Sequence, residues 1–356
     1  MILFSEDSVA FNDHVERFLG RRLPPVLAEG IDFAGLASDA RGVVLRLLAL
    51  MKRSGCRATD ITEQMIWLLG SVTPAMLPSA WGGRIPPLTA PGRHRKLDAY
   101  VARRLGPAGA ERPVYIDLGC GFPPLTTVET AQALPDWTVF GVDLAFLEAD
   151  LQALELPAAR FVRCMNVLLY FARGKRETML SAIHHLLEEN GLLVTGFNHP
   201  FGIYARYTIY WKEGANFRPC EFAFGLDNLG PLGIGPWLTL ADGDGEAGLL
   251  ADLTAAIRRD HIFWSDFSDR LDALRARYDI CRRDEHGFIR FTEETRSTAA
   301  LFLQKKTAAV WAQLVAEGYT EGAVAALDRA GCTAWKNAVG DIAVLPPEGV
   351  LPAAAA

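Results

Sequence analysis

Two glycines and two acids in the stretch Val114–Phe146 have the types and spacing needed to hold a nucleoside. The run is Asp117-Leu118-Gly119-Cys120-Gly121, and Asp143 follows after an intervening helical and extended segment. A chain that bends sharply from a strand into a helix, with a ligand against its backbone, has no room for a Cβ, which suits Gly119 and Gly121. A carboxylate at the end of the next strand can accept from the two hydroxyls of a ribose, which suits Asp143. Both turns fall on the carboxyl edge of the implied sheet, where open α/β folds bind ligands.

The same stretch distinguishes between nucleosides. A dinucleotide fingerprint, G-x-G-x-x-G, needs its third glycine at position 124, but the chain has Pro123-Pro124. The prolines also remove two N–H donors from a loop that would cradle a pyrophosphate. S-adenosylmethionine (AdoMet) has no phosphate and loses little by this, so the loop favours it over a nicotinamide dinucleotide. Asp117 can orient the bend or reach an ammonium group, directly or through water. Cys120 fits packing beside the ligand better than redox chemistry.

The elements that must position these residues follow from periodicity. Val114–Asp117 reads as a buried strand, Thr126–Leu134 as its helix and Thr138–Asp143 as a second strand. A strand lies within Ala159–Leu169, a helix over Lys175–Glu189 with Gly191 as its stop, and another strand over Leu192–Phe197. Alternating strands and helices predict an α/β, Rossmann-like, mostly parallel sheet of seven strands. Before it, Asp39–Ser54 has apolar residues at helical spacing and stops at Gly55. Asp60-Ile61-Thr62-Glu63 resembles a capping box, with Asp60 as the cap, and Gly70 can end the helix that follows. Residues 73–92 are rich in proline and glycine and read as a connector, and Leu97–Leu105 as one more helix. Towards the C-terminus, helical insertions over Leu249–Arg259, Phe267–Tyr278, Glu293–Glu317 and Glu321–Ala330 interrupt strands expected at Glu221–Leu226, Gly287–Phe291 and Asp341–Leu345. The expected division is a helical lid or dimerisation segment at 1–92, a nucleoside-binding domain at 93–345 and a flexible tail at 346–356.

Composition narrows the partners. The chain has 356 residues and a net charge of -6, which gives no electrostatic reason to expect nucleic acid. Residues 1–112 carry a net +4 and the remainder -10. The run Arg93-His94-Arg95-Lys96 reads either as a solvated face or as a lid or anion contact. The six cysteines are scattered without C-x-x-C spacing, and no histidine pair has metal-ligand spacing, so a reduced, cytoplasmic protein without a metal is expected. There is no signal-peptide pattern and no apolar run of membrane-spanning length.

In order and spacing these residues resemble the class I AdoMet-dependent methyltransferases. The resemblance rests on Asp117-Leu-Gly-Cys-Gly121 as the first motif, Gly141-Val-Asp143 as the second, Arg163-Cys-Met-Asn166-Val-Leu at the fourth strand and Leu187-Glu-Glu-Asn-Gly191-Leu-Leu-Val before the fifth. It covers roughly residues 95–200. Gly121-Phe-Pro-Pro124-Leu-Thr126-Thr127-Val-Glu129 looks like a bacterial subgroup with a G-x-x-P-x-T-T-x-E loop. Cys164-Met-Asn166-Val-Leu-Leu-Tyr170-Phe is also similar to the fourth-strand segment of chemotaxis receptor glutamate methyltransferases. The resemblance implies methyl transfer by in-line displacement. Asp117, Gly119 and Gly121 would line the methionine portion, Asp143 would hold the ribose and Asn166 would face the sulfonium, with Cys120, Pro123, Thr126 and Leu144 also in the cofactor site. The helix and third strand usual after the second motif look compressed, leaving Glu148 or Asp150 for the adenine.

With no acidic- or basic-partner surface evident, a small-molecule methyl acceptor of specialised metabolism is expected, with a protein-modifying carboxyl methyltransferase, prompted by the fourth-strand likeness, or a non-catalytic AdoMet-binding scaffold as alternatives. The N-terminal helices could instead make a homodimer. His199, in Asn198-His199-Pro200 beyond the last parallel strand, is a base or substrate contact or a satisfied loop histidine, and Asn166 is the other catalytic candidate. Tyr204, Tyr207 and Trp211, at helical spacing, and Tyr210 form a core stripe or a substrate wall. His261-Ile-Phe263-Trp264 is a second such wall, and His184 and His185 are structural.

Overall fold

The computed structural model describes residues 35–83, 89–105, 112–121, 123–143, 155–199, 203–293, 300–352 and 354–355. By contacts they form two units whose segments alternate along the chain. One comprises the described residues up to Ala80 with Leu226–Thr239 and Ala247–Gly331; the other comprises Trp81–Gly225, Leu240–Glu246 and the residues from Cys332. The helices after residue 226, which the sequence reading attached to the nucleoside-binding domain, therefore group with the N-terminal helices.

In the first unit, helix α1 spans Ser38–Arg53 and buries Val43, Val44, Leu47, Leu48 and Met51 on one stripe. It ends where Gly55 takes a φ of 77°, a left-handed turn that a Cβ would oppose. The next helical run starts at Glu63, and its cap is Thr62, not Asp60. The Thr62 hydroxyl accepts from the Met65 N–H at 3.2 Å and donates to Leu232 O at 2.9 Å. Asp60 instead accepts from the backbone N–H of Arg57. Gly70 does not stop the helix, which passes through it as a widened turn, Leu68–Val72.

The second unit begins with helix α2 (Arg95–Leu105), strand β1 (Val114–Leu118), helix α3 (Leu125–Ala133), β2 (Thr138–Val142), β3 (Ala159–Met165), helix α4 (Arg173–Leu186), β4 (Leu187–Phe197), β5 (Arg206–Glu213) and β6 (Asn216–Phe224). The chain then returns to the first unit with α5 (Gly245–Arg259), α6 (His261–Arg277), the hairpin β7 (Cys281–Arg283) and β8 (Ile289–Phe291), α7 (Ala300–Ala316) and α8 (Tyr319–Arg329). The chain closes with β9 (Ala334–Lys336), β10 (Ile342–Val344) and β11 (Ala354–Ala355).

The main sheet runs β2-β1-β3-β4-β5-β6-β10-β9, with β11 pairing off this path onto β6. It is larger than the seven strands expected. The ladders joining β2, β1, β3 and β4 are parallel, as the alternating strands and helices predict; β5, β6, β10 and β9 add antiparallel pairings. The strand expected at Gly287–Phe291 pairs in the separate β7–β8 hairpin. No element sits over Tyr204–Trp211 as a helix. Tyr207 and Ile209 face one side of β5 and Tyr210 the other, so their three- and four-residue spacing was strand alternation around buried aromatics.

Both faces of the sheet are covered, which is why its strands are apolar almost throughout. Leu180, Ile183 and Leu186 of α4 pack on Ile116, Val162, Cys164 and Leu193. Leu97, Tyr100 and Val101 of α2 pack on Tyr115, Phe161, Val194 and Tyr207 of the opposite face. The chain leaves β1 for β2 on one side and then crosses to β3 on the other, so the strand order reverses at β1. A crevice opens at the carboxyl end of such a strand.

Candidate functional site

Three loops meet at that edge: the bend after β1, the end of β2, and the paired loops after β3 and β4. Gly119 and Gly121 have φ values of 80° and 68°, a conformation that disfavours any other residue. A Cβ built on Gly121 would meet nothing within 4 Å among the described residues, so there its backbone is not packed against protein. The N–H groups of Gly119 and Cys120 both donate to Val142 O, at 2.7 and 3.3 Å. This ties the bend to the residue just before Asp143, which is half-buried. It also uses two donors that a phosphate would need, beyond the two lost to Pro123 and Pro124. The Cys120 thiol is buried, and its pKa is raised by burial and by the charges of Asp117 and Asp143, as expected of a packing residue rather than a nucleophile.

Asp117 does not point freely into the crevice. Arg163, fully buried on the neighbouring β3, grips it with two hydrogen bonds, Nε to Oδ1 at 2.9 Å and Nη2 to Oδ2 at 2.5 Å. Thr127 of α3 donates to Oδ2 at 2.7 Å. The remaining Arg163 nitrogen donates to Asp98 of α2 (3.1 Å) and to Thr130 (2.9 Å). One guanidinium thus joins α2, β1, α3 and β3 beneath the bend. Burial raises the Asp98 carboxyl to about 6, against the opposing pull of Arg163. Of the two roles open to Asp117, orienting the bend is the one these contacts serve.

The T-T-x-E segment has a matching task. Thr126 is buried in the first turn of α3, its carbonyl accepting from Thr130. Glu129 accepts from the backbone N–H of Gly92 with both oxygens, at 2.9 and 2.7 Å. Gly141 lies against Thr127: an added Cβ would sit 3.0 Å from the threonine methyl. Gly141→Ala should therefore push Thr127 off Asp117 and cost about 1–2 kcal/mol in urea unfolding, as overpacking does.

Asn166 and Asn198 form a reciprocal pair across β3 and β4. Asn166 Nδ2 donates to Asn198 Oδ1 at 2.8 Å, and the Asn198 N–H donates to Asn166 Oδ1 at 3.0 Å. Asn166 has a φ of 62°, and its N–H donates to Gly196 O. Asn198 Nδ2 reaches Arg93 O at 2.7 Å, while Arg93 Nε donates to Asn198 Oδ1 at 2.9 Å and Nη2 to Asn198 O at 2.7 Å. The first half of the basic run is thus buried and bonded to the edge loops: Arg93 and His94 are both 7% exposed. Arg95 is exposed, and Lys96 pairs with Asp341.

His199 follows this pair. Its N–H donates to Ile203 O at 3.0 Å, and its ring meets Tyr204 edge-on. Burial, then the charge of Arg93, lowers its pKa to about 4. A buried histidine held neutral gains stability as the pH rises from about 4 to the ordinary value near 6.5. Its ring should therefore stay neutral from pH 5 upward in an NMR titration. A midpoint near 6.5 would show the burial to be wrong.

Pro123 is exposed at the lip of the bend. Leu144, Glu148 and Asp150 lie outside the described residues. Phe263 packs on Phe267 and Tyr319 within the other unit, while His261 and Ile262 beside it are exposed. His184 is buried, its Nε2 3.0 Å from Gly214 O. Sequence reasoning missed Asn198 and Asp98 as partners at this edge, the burial of Arg93 and His94, and the pairing of Arg163 with Asp117. The last was readable: an arginine inside the apolar run Phe161-Val-Arg163-Cys-Met165 needs an acid at the same height on a neighbouring strand, and Asp117 is its register partner.

No protein-family model and no curated protein sequence matches the chain. Solved structures are similar to parts of it. PKMT2 from Rickettsia typhi, in complex with AdoHcy, is 18% identical over 32% of this chain and 27% of its own, with a TM-score of 0.24. The sugar N-methyltransferase KedS8 from a Streptoalloteichus species is 17% identical over 37% of this chain and 65% of its own, at a TM-score of 0.24. An O-methyltransferase family 2 protein from Planctomyces limnophilus, in complex with apigenin, is 14% identical over 56% of this chain and 76% of its own, at 0.27. The chain thus spans about a quarter of the Rickettsia protein and just under two thirds of KedS8. Likenesses this partial place no residue and no substrate.

Proposed function

We propose that the chain is an AdoMet-dependent methyltransferase acting on a small-molecule acceptor. The observation that carries this reading is the glycine bend at positive φ, anchored through Val142 O beside Asp143 and stripped of the donors that a pyrophosphate needs. Gly119 and Gly121 let the methionine portion lie against backbone, Asp143 accepts from the ribose hydroxyls, and the Arg163–Asp117 pair keeps the bend in shape. AdoMet, when bound, supplies an activated methyl group on its sulfonium. The chain's part is to align an acceptor with it and to exclude water, which is where most of the rate would come from. His199, neutral at working pH, can accept a proton from an acceptor at the same edge.

The test is a calorimetric titration of the full chain with AdoMet, S-adenosylhomocysteine and NAD. Micromolar binding of the first two and none of NAD is expected. Binding of NAD alone would end the proposal.

A further inference from the structure

The chain enters β5 through a residue in an uncommon conformation. Tyr204 has a φ of 54°, the left-handed region, where the Cβ of a bulky side chain crowds its own backbone. Asn166, on the loop after β3, shares that region, but asparagine tolerates it and an aromatic residue does not. Tyr204 keeps the conformation because the backbone on either side is tied down. Ile203 O accepts from the His199 N–H at 3.0 Å, and Ala205 O accepts from the Gly225 N–H at 3.0 Å. Arg206, the next residue, is already paired with Phe197 of β4 and Phe224 of β6.

A glycine would make this bend at lower cost. What tyrosine adds is a ring, and the ring is turned inward. Tyr204 is 6% exposed, and its ring meets the His199 imidazole edge-on, with centroids 6.2 Å apart and planes at 82°. Backbone strain of this kind persists only where the surroundings impose it, and it gathers at working sites. One turn thus carries both the strained residue and the histidine against which its ring lies.

We propose that Tyr204 is a positioning residue: its left-handed bend sets the ring against His199 and keeps water off the imidazole, so that a neutral base is presented to the methyl acceptor. The base role rests on the methyltransferase reading above; the contact between the rings does not. Two groups act on the imidazole from elements packed beside it. Arg93, bonded to Asn198 one residue earlier, repels a proton there by its charge. Tyr204, before β5, contributes by excluding solvent, and both effects favour the neutral ring.

The test is an NMR titration of the His199 ring in the full chain, in Tyr204→Gly and in Tyr204→Phe. Tyr204→Gly removes the ring and the strain together. Its His199 midpoint should rise from about 4 by about one pH unit or more, a ten-fold gain in proton affinity, towards the value of about 6.5 of a solvated imidazole. Tyr204→Phe keeps the ring and the bend, and should titrate as the wild-type chain does. Should Tyr204→Gly unfold, Tyr204→Asn, which also tolerates the bend, takes its place. Nuclear Overhauser contacts between the two rings are expected in the wild-type chain and need no variant. Absent ring contacts, a wild-type midpoint near 6.5, an unmoved midpoint in folded Tyr204→Gly or an equal rise in Tyr204→Phe would overturn the proposal. Calorimetry with AdoMet on the wild-type chain separates the two readings. AdoMet binding with an unmoved midpoint removes the clamp and leaves the function standing; a raised midpoint without AdoMet binding does the reverse.

Discussion

Asp143→Ala should lower AdoMet affinity about a hundred-fold while leaving the melting temperature nearly unchanged. Hydrogen bonds to a charged acceptor are worth about 1.5–3 kcal/mol each, and a ribose presents two hydroxyls to one carboxylate. Asp143 is half-buried and follows the last residue of β2, so little of the fold depends on it. Calorimetry on the folded variant gives the affinity, and circular dichroism verifies the fold. Unchanged affinity would mean that the sugar is held elsewhere.

Arg163→Met should destabilise the chain by about 3–5 kcal/mol in urea unfolding at pH 8. The cost is that of leaving buried acids without their counter-charge, and here one arginine serves both Asp117 and Asp98. Arg163→Lys should recover only part of it, since an ammonium cannot reproduce the bidentate fork. The pH dependence has a definite sign. Asp98 sits at about 6 in the folded chain, above its unfolded value near 4, so the folded state binds its proton more tightly. That contribution is complete below pH 4 and fades as the pH rises through 6. Without Arg163 the Asp98 carboxyl favours protonation still more, so the gap between variant and wild type should narrow at pH 5. A gap that is the same at both pH values would show that the acids are not what the arginine supports.

The glycine bend was legible because its constraint is local: a strand, a turn at positive φ, and a helix in close succession. The parallel half of the sheet was legible for the same reason. What stayed hidden depends on distant partners. Arg93-His94-Arg95-Lys96 reads as a solvated face or as a lid or anion contact, and only Asn198, far along the chain, reveals that the first two are buried. Tyr204, Tyr207 and Trp211 imitate a helical stripe because aromatic residues on both faces of a covered strand leave no polar alternation to read. Thr62 and Asp60 are both competent caps, and the choice between them is made by Leu232 O, to which Thr62 donates.

The alternation of the two units along the chain bears on how the protein is made. Strand β6 ends at Phe224, and its partner β10 starts only at Ile342; the whole run of α5 to α8 is synthesised between them. A nascent β6 therefore leaves the ribosome with one edge bare and stays so until its neighbour emerges. Unpaired edges of this kind are where growing chains associate wrongly. Expression should respond to slower translation or to chaperones that shield strands, and no contiguous gene fragment will encode either unit whole.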